Sequence, residues 1–440
     1  MTMKREQPKD NFWGLTPILF FMILVIASGA LTQNFSTMPI LVALVIAAGF
    51  ALVLNRKESR LSVAEKVDMF CKGGGDKTVI LLVMIFLLAG AFYSVTIDIG
   101  ARDSTVNWAL NYVPTVYLLP GLFVISCFIA FAMGTSMGTI TAITPIGVGL
   151  ADSLGVPIPL AVGIVIGGAM FGDNLSFISD TTIAATRTQG VQLRDKFKAN
   201  LLIVLPAALL TTILLLFVNI DGSAIIALQD YDLLLILPYL LIIVCALLGI
   251  NVIGVLGIGI GSACIVGLSK GLFTLPTMLQ SLQKGMGWMQ DLMAIALILG
   301  GIVALMKAYG GVAWLVSNIT KRISSKKGSE YGIAALVSTL NIAISNNTIA
   351  ILTVGPIAKE LGGQYQLDPK RTASLLDIFS CGIQGLVPYG GQLLAAAALA
   401  GVSPLALTPY CWYSMLILVF GVLAIATGLP KFKDKSLDDF

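Results

Sequence analysis

"FGDNLSFISD" (171–180) is the stretch on which the fold turns. It follows "AVGIVIGGAM" (161–170), an apolar run that reads as a membrane helix, and it puts two aspartates, an asparagine and two serines into eight residues. A charged or unpaired polar group facing hydrocarbon costs several kcal/mol, so such a stretch survives only inside protein or beside a water-filled cavity.

The rest of the chain supplies the membrane. Of 440 residues, 57% are hydrophobic and 11% charged, against about 25% charged in soluble domains. This is the composition of an all-α polytopic membrane protein whose first partner is the lipid bilayer. The opening run, 12–31, is longer than a signal-peptide core and is followed closely by a second apolar segment. There is no histidine, and the six cysteines show no metal or disulfide spacing. His-based metal sites, catalytic triads and the usual proton relay are therefore excluded. With no cysteine nucleophile constellation or cofactor motif either, an enzyme is not expected. No cofactor is expected beyond Na+ or H+ as a coupling ion. The glycine run 254–267 lacks the lysine of a phosphate loop and suits close helix packing. "CKGGGDK" (71–77) reads as a flexible cytoplasmic loop, and the basic stretch 318–330 as a linker beside anionic lipid, with no nucleic-acid partner.

About 20 apolar residues cross a bilayer. Uninterrupted spans are expected near 13–31, 38–54, 78–97, 199–219, 232–249, 252–269, 291–310 and 410–428. Two further spans, 157–186 and 371–400, are too long and are broken by Gly and polar residues. Segments 116–150 and 330–360 are interrupted at "GTSMGT" (134–139) and "SNNT" (345–348), and each fits one long span or a re-entrant hairpin. Loop charge decides, because cytoplasmic loops are enriched in Lys and Arg. With both segments as hairpins, the regions 1–12, 55–77, 186–198, 310–329, 358–371 and 429–440 are cytoplasmic and hold 23 of the 27 basic residues. Both termini are then inside. The alternative, a plain twelve-span bundle, moves basic loops to the outside.

Each half then repeats one order: three spans, a hairpin, an interrupted span, one more span. The fold class expected is an inverted repeat of two five-span units, each with a re-entrant hairpin and a broken helix. Residues 1–220 form the first repeat (hairpin 116–150, broken span 157–186). Residues 221–440 form the second (hairpin 330–360, broken span 371–400). Weak echoes agree: "ITPIGVGLADSLG" (143–155) with "TVGPIAKELGG" (353–363) aligns Pro145 with Pro356, and 159–174 with 369–384 aligns Gly172 with Gly382 and Asn174 with Gln384. Inverted repeats with helices broken at the midplane mark secondary transporters.

The four breaks supply the candidate site. The first tip offers Thr135, Ser136 and Thr139, and the first broken span Asp173, Asn174, Ser176, Ser179, Asp180 and Thr181. The second tip offers Ser345, Asn346, Asn347 and Thr348, and the second broken span Asp377, Gln384, Tyr389 and Gln392. Helix N-termini hold anionic groups, while carbonyls and helix C-termini hold cations. Asp173, Asp180 and Asp377 fall at membrane depth with no Lys or Arg expected there, so each is protonated or paired with a cation. Asp173, Asn174 and Asp180 form a possible Na+ ligand set. The competing readings are that Asp173 and Asp180 merely cap restarting helices, and that Asp377 hydrogen-bonds within its bundle.

"GGAMFGDNLSFISDTT" (167–182) resembles the signature of the NhaC-type Na+/H+ antiporter family, and the chain as a whole is similar to its YuiF-like branch of suspected amino acid transporters. The resemblance extends to the wider ion transporter superfamily, whose hairpin tips read Ser-Asn-Thr. The second tip, 345–348, fits with one added Asn; the first lacks the Asn, and the second broken span lacks the acids of the first. The resemblance implies a bacterial inner-membrane protein, a homodimer, and an ion-coupled substrate. The function expected is cation-coupled secondary transport of a small organic solute, an amino acid first. The alternative is a Na+/H+ antiporter without an organic substrate.

Overall fold

A computed structural model describes residues 10–32, 38–54, 61–177, 179–220, 230–248 and 250–429. The basic residues at 4–9, 56–60 and 431–435 that enter the charge argument lie outside the described residues. Every regular element among those described is a helix. In chain order the first half contains α1 (Thr16–Thr32), α2 (Ile40–Val53), α3 (Val63–Gly74), α4 (Lys77–Asp98), α5 (Ala101–Tyr112), α6 (Leu118–Met133), α7 (Ser136–Leu154), α8 (Ile158–Leu175), α9 (Asp180–Gln189) and α10 (Leu193–Leu216). The second contains α11 (Leu233–Leu247), α12 (Val252–Ser269), α13 (Leu275–Trp288), α14 (Gln290–Ala308), α15 (Gly311–Thr320), α16 (Lys326–Ile344), α17 (Asn347–Gln364), α18 (Pro369–Gln384), α19 (Gly391–Ala400), α20 (Pro404–Leu407) and α21 (Trp412–Thr427). Among the described residues, six helical stretches are long and apolar enough to cross a membrane: 79–98, 136–154, 158–189, 193–216, 252–269 and 275–308. Shorter apolar helices such as α1, α2, α11 and α21 accompany them. Large apolar side chains such as Ile23, Leu202, Leu209, Ile265 and Phe217 point outward, as they do where lipid is the solvent. The chain is an all-helical polytopic membrane protein.

Four regions left between the expected spans hold helices instead: α3, α5, α13 and α15. "CKGGGDK" does not hang free: α3 runs through Gly74 and lies on α14. The backbones touch there, since a Cβ on Gly73 would run into the carbonyl of Gly300, and one on Gly300 into that of Gly73. The glycines read as flexibility are a packing face. Likewise 270–290 was expected as an outside loop, but α13 fills most of it and lies along α4. Gly90 and Gly285 meet backbone to backbone, and Ser94 and Ser281 share a buried hydrogen bond of 3.2 Å. Lys66, also assigned to a loop, is buried and donates to the carbonyls of Leu52 and Leu54 at 3.1 and 2.9 Å. It satisfies the exposed end of α2.

Two helix pairs fold back on themselves. The α6–α7 turn is made by Gly134, at φ 65° and ψ 23°, a left-handed conformation that glycine adopts without steric cost. A Cβ on Gly147 would lie 3.6 Å from the Leu122 side chain. On one straight helix those residues would be about 37 Å apart, so the chain reverses. In the second pair the Tyr365 hydroxyl, just after α17, donates to the carbonyl of Ile323, just before α16, at 2.9 Å. The broken segments lean across. α9 lies against α17, where Gln189 donates to the Gly355 carbonyl at 2.8 Å. α19 lies against α7, where Gln392 donates to Ser136 Oγ at 3.3 Å.

Candidate functional site

Both hairpin turns are built by the same backbone move. Gly134 (65°, 23°) is followed by Thr135 (−148°, 120°). Ser345 (54°, 34°) is followed by Asn346 (−147°, 110°). In each, a left-handed residue ends one helix and an extended residue caps the next. The first amides of a helix have no internal partner, and a short polar side chain at the cap supplies one. Thr135 Oγ1 accepts from the Gly138 amide at 3.5 Å, and Asn346 Oδ1 from the Ile349 amide at 2.9 Å. The asparagine missing from the first tip is thus replaced in its capping role by Thr135. Asn347 Oδ1 takes the Thr348 amide at 3.0 Å, and Ser345 Oγ donates to the Tyr389 carbonyl at 3.3 Å.

The first broken span supplies the acids. α8 stops after Leu175 and α9 restarts at Asp180, with Ser179 Oγ accepting from the Thr182 amide at 3.2 Å. Ser179, not Asp180, is the cap, and Asp180 is left exposed. The carbonyl of Asp173, released by the break, accepts from Ser179 Oγ, Thr181 Oγ1 and Thr182 Oγ1 at 3.0, 3.1 and 3.3 Å. The Asp173 carboxylate is buried, and its Oδ1 accepts from the Ser136 amide at the start of α7 at 3.1 Å. It does cap a helix, but the hairpin's rather than its own. The second break, Gly385–Gly390, is held by neutral groups: Gln384 donates to Gln392 Oε1 at 2.7 Å and to the Ser345 carbonyl at 3.3 Å, and the Tyr389 hydroxyl donates to the Ile342 carbonyl at 2.7 Å.

The tips and breaks meet at a cavity of about 580 Å³. Thr135, Ser136, Asp173, Asp180 and Thr181 line it from the first half, and Ser345–Thr348, Gln384, Tyr389 and Gln392 from the second. The facing wall is apolar, made by Leu82, Ile85 and Phe86 of α4 with Ile295, Leu299 and Val303 of α14. The cavity continues past Lys307 to Lys72 and Asp76 at the end of α3. Thr139, Asn174, Ser176, Ser179 and Asp377 do not line it. Thr139 bonds back to the Thr135 carbonyl at 3.2 Å.

The expectation that no basic residue reaches the depth of the acids is overturned by Lys196. Asp377 is 0% exposed and Lys196 1%, and Asp377 Oδ2 lies 2.9 Å from Lys196 Nζ. The same oxygen accepts from Asn200 Nδ2 at 2.7 Å and Asn174 Nδ2 at 3.1 Å. Lys196 also donates to the Asn174 carbonyl at 2.6 Å and Thr182 Oγ1 at 2.7 Å. Asp377 is therefore neutralised by the protein itself. The reason is that α10 begins at Leu193, so Lys196 sits on the helix with Asn200 one turn on, both buried. That four-residue spacing was the available signal. Asn174, expected beside Asp173 and Asp180 as a cation ligand, instead holds Asp377 and accepts from the buried Tyr413 hydroxyl at 2.9 Å. Among the described residues no three Cys, Asp or Glu side chains gather at one point.

A family model described as the Na+/H+ antiporter family matches residues 11–220 and 231–429. The chain is 24% identical to a malate-2H(+)/Na(+)-lactate antiporter of Bacillus subtilis (strain 168), over 94% of this chain and 95% of that one. It is 24% identical to the Na(+)/H(+) antiporter NhaC of Alkalihalophilus pseudofirmus, over 96% and 97%. It is 22% identical to the arginine/ornithine antiporter ArcD of Halobacterium salinarum, over 80% and 79%. With nearly all of its described residues inside the family match, the chain is a membrane transporter and belongs to the Na+/H+ antiporter family.

Proposed function

We propose that the protein is a secondary active transporter in which a cation, Na+ or H+, is coupled to a small organic solute, an amino acid first, by alternating access across a bacterial plasma membrane. The observation that carries this is the cavity at the two helix-break tips, with Asp173 as a buried acid on its wall. Its volume of about 580 Å³ falls in the range of about 300–1,000 Å³ that small-molecule sites occupy. The division into a polar tip side and an apolar α4–α14 side suits a solute with a charged head and an aliphatic body. Asp173 and Asp180 are the groups for the cation, and the hydroxyls and amides of the tips are the groups for the solute. Relatives are named for exchanging Na+ and H+, malate and lactate, or arginine and ornithine. Those names support coupled exchange as the general activity.

The inverted repeat belongs to the same proposal. It is supported by the matching tip conformations, and by Pro145 and Pro356, which each follow the left-handed tip residue by eleven positions. It is supported too by the crossed packing of α9 on the second hairpin and α19 on the first. A Na+/H+ antiporter without organic substrate is the second reading, favoured by two acids on one cavity wall. Proteoliposomes holding the purified protein separate the two. Labelled amino acids and small carboxylates are offered with and without a Na+ or pH gradient, with an internal pH dye as the parallel readout. Gradient-dependent solute uptake abolished by Asp173→Asn is expected. Na+-driven proton movement with no uptake of any solute selects the second reading, and neither signal defeats both.

A further inference from the structure

We infer that the Lys196 ammonium is a tethered cation filling a ready-made cation cage. The cage is formed by Asp377 Oδ2, the Asn174 carbonyl and Thr182 Oγ1, which lie 2.9, 2.6 and 2.7 Å from Nζ. A carboxylate, a backbone carbonyl and a hydroxyl form the oxygen set that a hard cation takes. An ammonium offers three hydrogens, and the three oxygens use all of them. The Asn174 carbonyl lies in the last turn of α8, the end that carries partial negative charge. Asn200 and Asn174 side-chain amides hold the carboxylate in place at 2.7 and 3.1 Å. Thr182 Oγ1 also bonds the Asp173 carbonyl, so the cage and the cavity acid share one helix break. The protein then has cavity carboxylates for an exchangeable cation, the buried Asp173 with Asp180, and a separate one, Asp377, whose cation is its own side chain. The inference rests on the proposed transport reading only for the role given to Asp173.

The test is thermal unfolding of the purified full-length protein, followed by tryptophan fluorescence in NaCl, LiCl, KCl or N-methyl-D-glucamine chloride at one ionic strength. Lys196→Ala vacates the cage. It is expected to gain a Na+- or Li+-dependent rise in melting temperature of about 5 °C once the ion exceeds its dissociation constant a hundredfold. That rise is expected to persist in Lys196→Ala/Asp173→Asn and to vanish in Lys196→Ala/Asp377→Asn. A Lys196→Ala protein with no such rise overturns the inference. So does a cation response of the unmodified protein that Asp377→Asn alone removes, because Asp377 would then already hold a mobile ion. If Lys196→Ala and Lys196→Gln both fail to fold in Na+ while Lys196→Ala/Asp377→Asn folds, the ion cannot replace the ammonium and the inference is again lost. If the unmodified protein responds to no cation, the role of Asp173 fails, and the Lys196→Ala arm still decides this one.

Discussion

The Asp173 carboxylate holds the first amide of α7 and lines the cavity at once, and the two duties separate under substitution. Asparagine caps a helix about as well as aspartate, so Asp173→Asn should melt within a few degrees of the unmodified protein while losing cation-coupled transport. Near-normal initial uptake by that variant would reduce Asp173 to a cap. At the second tip, Ser345 takes the left-handed conformation that costs an L-residue about 1–2 kcal/mol. Ser345→Gly copies Gly134 and should raise stability by about 0.5–1 kcal/mol in chemical unfolding; a clear loss would mean that the Ser345 Oγ bond to Tyr389 outweighs the strain. These residues were legible in sequence because each is a polar group in an apolar run that has no other reason to carry one. Lys196 was not, because a lysine in the stretch 186–198 beside Arg187, Arg194 and Lys198 looks like loop charge. Only the start of α10 at Leu193 turns its side chain into the protein.

At the scale of the element, the helices read from sequence were those that carry a long apolar run, whether unbroken or broken at one polar site. α3 and α13 escaped because each is amphipathic and buries its small residues against one neighbour, leaving a polar face that reads as loop. The contact between α6 and α8 is equally tight. A Cβ on Gly172 would run into the Ala130 side chain, and one on Gly168 would stand 2.5 Å from the Ser126 side chain. Gly172→Val therefore wedges the first hairpin from the broken span beside Asp173. Overpacking costs about 1–3 kcal/mol, and the expected readout is a lowered melting temperature with transport falling more than stability does. A variant at full stability and full rate would show that this contact relaxes freely. The orientation drawn from loop charge has its own check. In a cysteine-free background, a single cysteine at Gly190 should resist an impermeant thiol reagent in intact cells. Rapid labelling there would place the α9–α10 turn outside and end the hairpin reading of 116–150.

For the whole molecule, the two hairpins and two broken spans complete one another's exposed backbone through Gln189–Gly355, Asp173–Ser136 and Gln384–Ser345, and a side-chain bond from Gln392 to Ser136 ties the halves together. Separating them in lipid would strand polar groups at several kcal/mol each, so α6–α9 and α16–α19 should move as one body past the α4–α14 wall. A disulfide between Leu82→Cys on α4 and Gly391→Cys on α19 crosses that boundary, where a Cβ on Gly391 would lie 3.3 Å from Leu82. It should stop transport reversibly with reductant. A disulfide between Thr188→Cys and Gly355→Cys stays inside the moving body and should leave uptake within about twofold, a difference under about 0.5 kcal/mol in barrier. Survival of the first crosslink with failure of the second would mean that the moving body has been drawn wrongly.

The glycine contacts Gly73–Gly300 and Gly90–Gly285 set the other half of that motion. Where side chains interdigitate, a helix interface can slide by exchanging rotamers. Where main chain rests on main chain, no such soft coordinate exists. α3 and α13 thus clamp α14 and α4 as braces clamp a stator, and in the proposed cycle the wall facing the cavity should keep its shape. The same contacts make these four positions intolerant in a particular way. Any side chain there would loosen the frame and leave Asp173 and its cavity chemically intact, so such variants should bind a cation normally and yet slip, letting cation and solute cross without each other.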